Sequence, residues 1–467
     1  MRPWAKALEK PAIEFPRTDL TLLSGKIPEG LRGTLYRNGP ARLERESQRV
    51  GHWFDGDGAI LGVEFTDAGA SAVYRYARSA GYQREAEENR YLFPNYGMTA
   101  PGFFWDNWGK EVKNAANTSV LALSDKLLAL WEGGHPHALD LRTLETRGTD
   151  DLGGLGKNEP FSAHPKIDPR TGEIFNFGVS PGARTSLHLY RSHPDGRIVQ
   201  KNVFPLDGLP LVHDFVLAGQ YLVFFIPPVR VNIFPVLFGF QSYCDAMEWK
   251  PELGTRILIF DRSTLSLVSE TITEPWFQWH FANGSVDGRD DIDIVFVRYG
   301  DFSTNQYLKE VATGETRTPA RGTLWRICIE PKSGRVISTE QLLDRGCDFP
   351  VVSPLSVGNS WRYTALSVAR TSKERSLDIL GIPALYDRDT ANLSVASLEP
   401  EEYASEPILV TDRSDPETGW LLAVVYDGDR HRSEVKVYNS PNLGEPVCCL
   451  ALPSVIPPGF HGTWKER

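Results

Sequence analysis

The feature that most constrains the fold of this chain is a recurrent unit: an apolar β-type run, a short polar turn, and a second run. The segments LHLYRSHPDGRIVQKNVF, RILIFDRSTLSLVSET, LWRICIEPKSGRVISTEQL, LLALWEGGHPHALDLRTLETRG and VKVYNSPNLGEPVCCLAL all read this way. β-Branched and aromatic runs suit a pleated surface, and the Asp, Pro, Ser and Gly clusters between them supply the chain reversals, so each unit predicts an antiparallel hairpin. Long segments with a 3.6-residue period are scarce. Hairpins repeated along 467 residues create many strand edges, and a β-propeller disposes of them by radial repetition that leaves only short, protected ones. No fixed period emerges, so the hairpins alone leave a sandwich or a solenoid open. Large all-β folds often run as one unit, and no firm domain boundary is visible, so a single domain over residues 1–467 is expected. The longer insertions, roughly 79–113 and 229–251, are more aromatic and alternate less than the hairpins.

Composition narrows the function classes. Hydrophobic residues at 41% and aromatics at 11% suffice for a large core, while Lys+Arg 50 against Asp+Glu 60 gives a net charge of -10. That balance, with no basic run, argues against a nucleic-acid binder. The N-terminal MRPWAKALEKPAIEF has no apolar stretch followed by a small-residue cleavage site, so no secretory signal is expected. The five cysteines, 244, 328, 347, 448 and 449, form no CxxC pair and are odd in number; a reducing, cytoplasmic setting without a disulfide framework follows.

Four histidines stand out because each sits at the mouth of a strand-like run: His164 in EPFSAHPKIDP, His213 in LPLVHDF, His280 in FQWHFANG and His461 in PPGFHGTW. Imidazole suits zinc, copper, iron or nickel. Structural zinc usually draws on cysteine clusters at short spacing, and catalytic zinc on three protein ligands with a water. Four distant histidines match neither. They would hold a divalent ion with two cis positions free, as non-heme iron needs to admit dioxygen. Any of the 10 His taken singly reads more readily as a surface or capping residue. His188, His193 and His431 lie in polar, turn-rich contexts and read as surface residues, and His137 falls on the strand after a Gly-Gly turn. Asp55-Gly-Asp57-Gly58 is not a calcium loop, since Ile60 and Thr66 occupy the positions that would need Gly and Glu. No GxSxG, Walker or dinucleotide glycine motif has a convincing strand-to-helix setting.

The wording around those histidines resembles the carotenoid cleavage oxygenase family, and more closely its bacterial apocarotenoid-cleaving members. LRGTLYRNGP from Leu31, HWFDGDGAI from His52, FSAHPKIDPRTGE from Phe161, VHDF from Val212, HFANG from His280, SEPILV from Ser405 and FHGTW from Phe460 carry the likeness, in the family's order over nearly the whole chain. The resemblance implies a seven-bladed β-propeller with one Fe(II) per chain on its axis, bound by His164, His213, His280 and His461, under a helical and looped cap built from the two insertions. It also implies three outer carboxylates that orient histidines through the second ring nitrogen: Glu132 behind His213, Glu406 behind His461 and, where the family usually has glutamate, Asp348 behind His280. Aspartate is shorter by one C–C bond, about 1.5 Å, so a bridging water or a shifted backbone is expected there.

The same resemblance implies an apolar tunnel for a polyene, for which Trp131, Phe161, Trp279, Phe103 and Phe104 are the candidates, with Trp105 and Trp108 beside the last two. Stilbene-cleaving relatives place a lysine near Trp131 to bind a phenol, so the tryptophan favours an apocarotenoid. VNIFPVLFGF from Val231 is too short to span a bilayer, which takes about 20 apolar residues. Ile233, Phe234, Leu237, Phe238 and Phe240 would instead dip into one leaflet with Arg230 and Lys250 near the headgroups, giving a peripheral membrane protein. The expected partners are an apocarotenoid and dioxygen, and the expected reaction is scission of the central 15,15' double bond to retinal-type aldehydes. No general acid or base is discernible beyond the metal site. A stilbene cleaver, a retinoid ester isomerohydrolase and a non-catalytic apocarotenoid-binding propeller are the competing readings; protein partners and oligomeric state are not legible.

Overall fold

The computed structural model describes residues 2–182, 184–371, 378–379, 381–412 and 418–467. Among them the hairpin units assemble into seven antiparallel sheets, each a propeller blade. The third blade is typical: Lys166–Ile167, Ile174–Ser180, Thr185–Ser192 and Ile198–Leu206 follow one another outward. Its middle strands are buried on both faces, whereas the outermost alternates half-buried and exposed along Ile198–Leu206. Covered and one-sided strands read differently in sequence for this reason.

The ring closes through both chain ends. The C-terminal strand Gly462–Glu466 becomes the innermost strand of the first blade, pairing Trp464 with Leu35, while Phe15–Asp19 lies at that blade's outer edge. The strand Thr21–Gly25 then completes the seventh blade against Cys448–Ala451. Closure in this form ties the two chain ends into neighbouring blades, the first and the seventh.

Aromatic side chains fill the gaps between blades. Phe177, Phe215, Phe224 and Phe260 join the third and fourth, and Phe225, Trp276, Phe281 and Phe296 join the fourth and fifth. Each such fully buried Phe contributes roughly 1.5–3 kcal/mol.

Insertions rise from one end of the ring. The helix Ala80–Glu88 starts where Ser79 Oγ accepts from Tyr82 N–H and stops at Asn89, whose φ of 50° is left-handed. Its Glu85 meets Lys113 Nζ at 2.8 Å, and Lys113 meets Asp57 at 2.8 Å, so a buried ion cluster completed by Arg45 ties the first insertion to the first blade. The second insertion carries a hairpin, Val229–Val231 with Met247–Trp249, and the short helix Ile233–Leu237. A third lies within the fifth blade, where the helix Ser303–Val311 takes the Trp279 indole N–H on Thr304 Oγ1 at 3.0 Å. The sequence reading did not single it out, since nine residues of helix between two strands carry little periodic signal.

Candidate metal centre and cavity

Every blade aims the start of its inner strand at the axis on the cap side. The residues at these starts, from the first blade to the seventh, are His461, Thr118, His164, His213, His280, Asp348 and Glu406. Four histidines and two carboxylates thus meet because successive inner strands begin at the same height, although nearly 300 residues of chain separate the first histidine from the last.

The four imidazoles are buried, and one nitrogen from each lies within 4.8 Å of the others. His164 Nε2 is 3.0 Å from His213 Nε2, which is 3.3 Å from His280 Nε2. On the outer side, His280 Nδ1 meets Asp348 Oδ1 at 2.7 Å, His461 Nδ1 meets Glu406 Oε1 at 2.8 Å, and His213 Nδ1 lies against Glu132 Oε1. An ionised carboxylate only accepts, so each of these three rings carries its proton on Nδ1 and turns a bare Nε2 lone pair inward. Converging lone pairs with no proton between them repel, and a cation is the species that satisfies them. Two nitrogens about 2.1 Å from one ion and at right angles lie about 3 Å apart, which the observed separations match. The residues therefore fit a divalent metal.

Electrostatics agree. Burial, reinforced by the neighbouring imidazoles, holds His164 well below the ordinary histidine range. Burial also lowers His461 against the pull of Glu406, whereas for His280 the Asp348 carboxylate outweighs burial and raises it. Burial would raise Asp348 and Glu406, yet both are held below the carboxylate range by their histidines and hydrogen-bond donors. The lowered Asp348 and Glu406 favour ionised carboxylates behind His280 and His461.

Asp348 reaches His280 directly, so no bridging water is needed. The strand is irregular at this point: Phe349 has a φ of 52°, and the register shifts between Asp348 and Val351. Two residues that the sequence reading did not single out complete the support. Tyr299 O–H donates to Asp348 Oδ2 at 2.6 Å, and Arg37 donates to Glu406 Oε2 at 3.1 Å and to the carbonyls of Glu406 and Phe460. Arg37 had a signal in LRGTLYRNGP: a charge inside an otherwise buried strand requires a partner.

Above the histidines opens a cavity of about 1200 Å³, lined by His213, His280 and His461 at its base and by Phe54, Trp131 and Trp279 on its walls. Gly133 lets Trp131 fold over its own loop, since a Cβ there would lie 2.7 Å from the indole. Phe161 does not reach this space. It is 1% exposed and stacks on Tyr190 in the core between the second and third blades, because its side chain points away from the axis. Phe103 and Phe104 are not cavity walls either. They are exposed with Trp105 and Trp108, and Phe104 packs on Phe240 with ring centres 4.9 Å apart. Phe234, Leu237, Phe238 and Phe240 are exposed beside them, while Ile233, Val236 and Leu237 line the cavity, so the apolar surface is continuous with its interior. His188 is also buried, against Ser180 Oγ at 2.7 Å, where its turn-rich context suggested the surface. No helix among the described residues is long and apolar enough to cross a membrane.

The profile of the family described as retinal pigment epithelial membrane protein matches residues 8–466. An apocarotenoid-15,15'-oxygenase of Synechocystis is 30% identical over 465 residues, covering 95% of this chain and 92% of that protein. Resveratrol cleavage oxygenase 1 of Aspergillus fumigatus is 27% identical, covering 95% and 91%. The crystal structure of cobalt-substituted Synechocystis ACO superposes with a TM-score of 0.88 at 29% identity, over 100% of this chain and 98% of that one. A full-length profile match, a relative at that identity and a shared propeller together place this chain in the carotenoid cleavage oxygenase family.

Proposed function

We propose that the chain is a non-heme iron(II) dioxygenase that cleaves one double bond of an apocarotenoid, the central 15,15' bond, to give retinal-type aldehydes. The observation that carries this reading is the union of four converging imidazole nitrogens, three of them on rings backed by a carboxylate, with a large aromatic-walled cavity directly above them. His164, His213, His280 and His461 would hold the iron, with Glu132, Asp348 and Glu406 fixing three of the rings. Bound iron(II) supplies dioxygen activation; the overall reaction adds both oxygen atoms across the alkene and breaks the C=C bond, giving two carbonyls.

The protein's own task is placement. Trp131 and Trp279 wall the cavity beside Glu132 and His280, so an extended polyene lying there brings a single double bond over the histidine nitrogens, and the depth of entry selects that bond. Trp131 presents no cationic group to a phenol, and the lysines that line the cavity, Lys110 and Lys157, are both exposed. This favours an apocarotenoid over a hydroxystilbene. The apolar surface formed by Ile233, Phe234, Leu237, Phe238 and Phe240, joined by Phe103 and Phe104, would rest in one leaflet of a membrane and admit the substrate without passage through water. A cytoplasmic protein held peripherally on a membrane follows.

Aerobic incubation of iron-loaded protein with a series of apocarotenals, and separately with a hydroxystilbene, tests the reading by mass spectrometry of the products. Retinal-type aldehydes that vanish without oxygen are expected. Aromatic aldehydes from the stilbene would replace it with stilbene cleavage, and tight apocarotenal binding without scission would replace it with a binding protein.

A further inference from the structure

Three histidines have an outer carboxylate that the family resemblance leads one to look for; His164 has none of these. The carboxylate on its outer side is Asp214, adjacent to His213 in the chain and 3% exposed. Its Oδ1 is 3.9 Å from His164 Nδ1 and 2.8 Å from Lys166 Nζ, and also accepts from Phe215 N–H at 2.8 Å. Its Oδ2 accepts the backbone N–H of Phe281 at 2.9 Å. One buried side chain therefore touches the inner-strand starts of the third, fourth and fifth blades, within two residues of three different metal-ligand candidates.

We propose that Asp214 is a positioning residue of the metal centre: it orients His164 through the Nδ1 side and pins the His164, His213 and His280 segments to one another. The inference rests on the metal reading above. At 3.9 Å the contact is longer than a direct hydrogen bond, so Asp214 acts on His164 through its charge. Lys166 gives Asp214 a second function, charge balance. Glu406 has Arg37 and Asp214 has Lys166, whereas Glu132 and Asp348 have no Lys or Arg at ion-pair distance among the described residues. Two carboxylates are thus left to balance a divalent ion carried by neutral imidazoles. Asp214 orients a ligand without adding a third uncompensated negative charge to a buried site, where such a charge is costly.

The experiment uses the full chain, freed of metal and titrated with Co(II), whose visible spectrum reports ligand geometry, with a competing chelator to set the affinity. Asp214→Asn retains an oxygen for Phe281 N–H and loses the charge that faces His164 and Lys166. Its Co(II) affinity is expected to fall about 10- to 100-fold, the usual effect of losing a residue behind a ligand, with an altered spectrum. Lys166→Met keeps Asp214 and leaves its charge uncompensated, so it is expected to bind Co(II) at least as tightly as the unmodified chain, with the same spectrum. The double variant K166M/D214N leaves no unpaired charge, so it serves even where D214N alone does not fold, and is expected to bind as weakly as D214N. Wild-type affinity and spectrum in D214N would overturn the proposal. Recovery in the double variant would also overturn it, because Asp214 would then serve only to neutralise Lys166. If the unmodified chain takes up no Co(II), the metal reading fails first, which is distinct from failure of Asp214 alone.

Discussion

Restoring a glutamate behind His280 is expected to harm the site. Asp348 already makes its contact with His280 Nδ1 at 2.7 Å, receives Tyr299 O–H at 2.6 Å and Phe349 N–H at 2.8 Å, and is 5% exposed. One more methylene lengthens the side chain by about 1.5 Å where there is no slack, so Asp348→Glu overpacks the site at a cost of about 1–3 kcal/mol and turns His280 off its axis, weakening metal binding roughly 10-fold. Asp348→Asn keeps an oxygen for His280 and for Phe349 N–H, and Tyr299 can turn its hydroxyl to accept. It loses chiefly the charge, about 1 kcal/mol or some 5-fold in affinity. Asp348→Ala strands the His280 and Tyr299 donors at about 1–3 kcal/mol each. The assay is chelator competition for the metal together with urea unfolding of the metal-free protein. Tighter metal binding in the Glu variant, with unchanged metal-free stability, would refute the reasoning by showing that aspartate falls short of its partner.

Four other outcomes follow from the same contacts. His280→Ala should lose metal loading and oxygen consumption together, read by metal analysis and an oxygen electrode; activity without metal uptake would sink the assignment. Lys113→Met leaves Arg45, among the described residues, as the one cation facing both Asp57 and Glu85 in this buried cluster and should lower stability by about 3–5 kcal/mol, measured as the urea midpoint. The double substitution Phe234→Glu and Phe238→Glu, at exposed positions that do not line the cavity, should abolish sedimentation with phospholipid vesicles while leaving turnover of detergent-dispersed substrate in place. Burial lifts the Asp55 carboxyl from 3.8 to about 7, against the backbone N–H groups of Gly97 and His52. The native state then holds a proton that the unfolded chain has released, so the contribution is fully present below pH 3.8 and lost as pH rises through about 7. That loss is about 4 kcal/mol, and Asp55→Asn should flatten the corresponding slope in unfolding free energy between about pH 4 and 7.

The sequence by itself determined the local units and the donor set. Alternation and turn chemistry are short-range, so LHLYRSHPDGRIVQKNVF and RILIFDRSTLSLVSET became the hairpins Thr185–Leu206 and Thr255–Thr273 much as they read. Histidine at the mouth of an apolar run was conspicuous for the same reason, because the residues on both sides identify the strand start. Tertiary structure decided which side chains face which space. Phe161 and Trp131 are both aromatics near candidate ligands, yet one packs between blades and the other walls the cavity, since direction depends on the twist and register of the strand and not on proximity along the chain. The direct reach of Asp348 to His280, and the importance of Arg37, Tyr299 and Asp214, depended on contacts with residues far away in sequence. Such contacts exist only once closure of the ring brings seven strand starts to one axis, which no local pattern encodes.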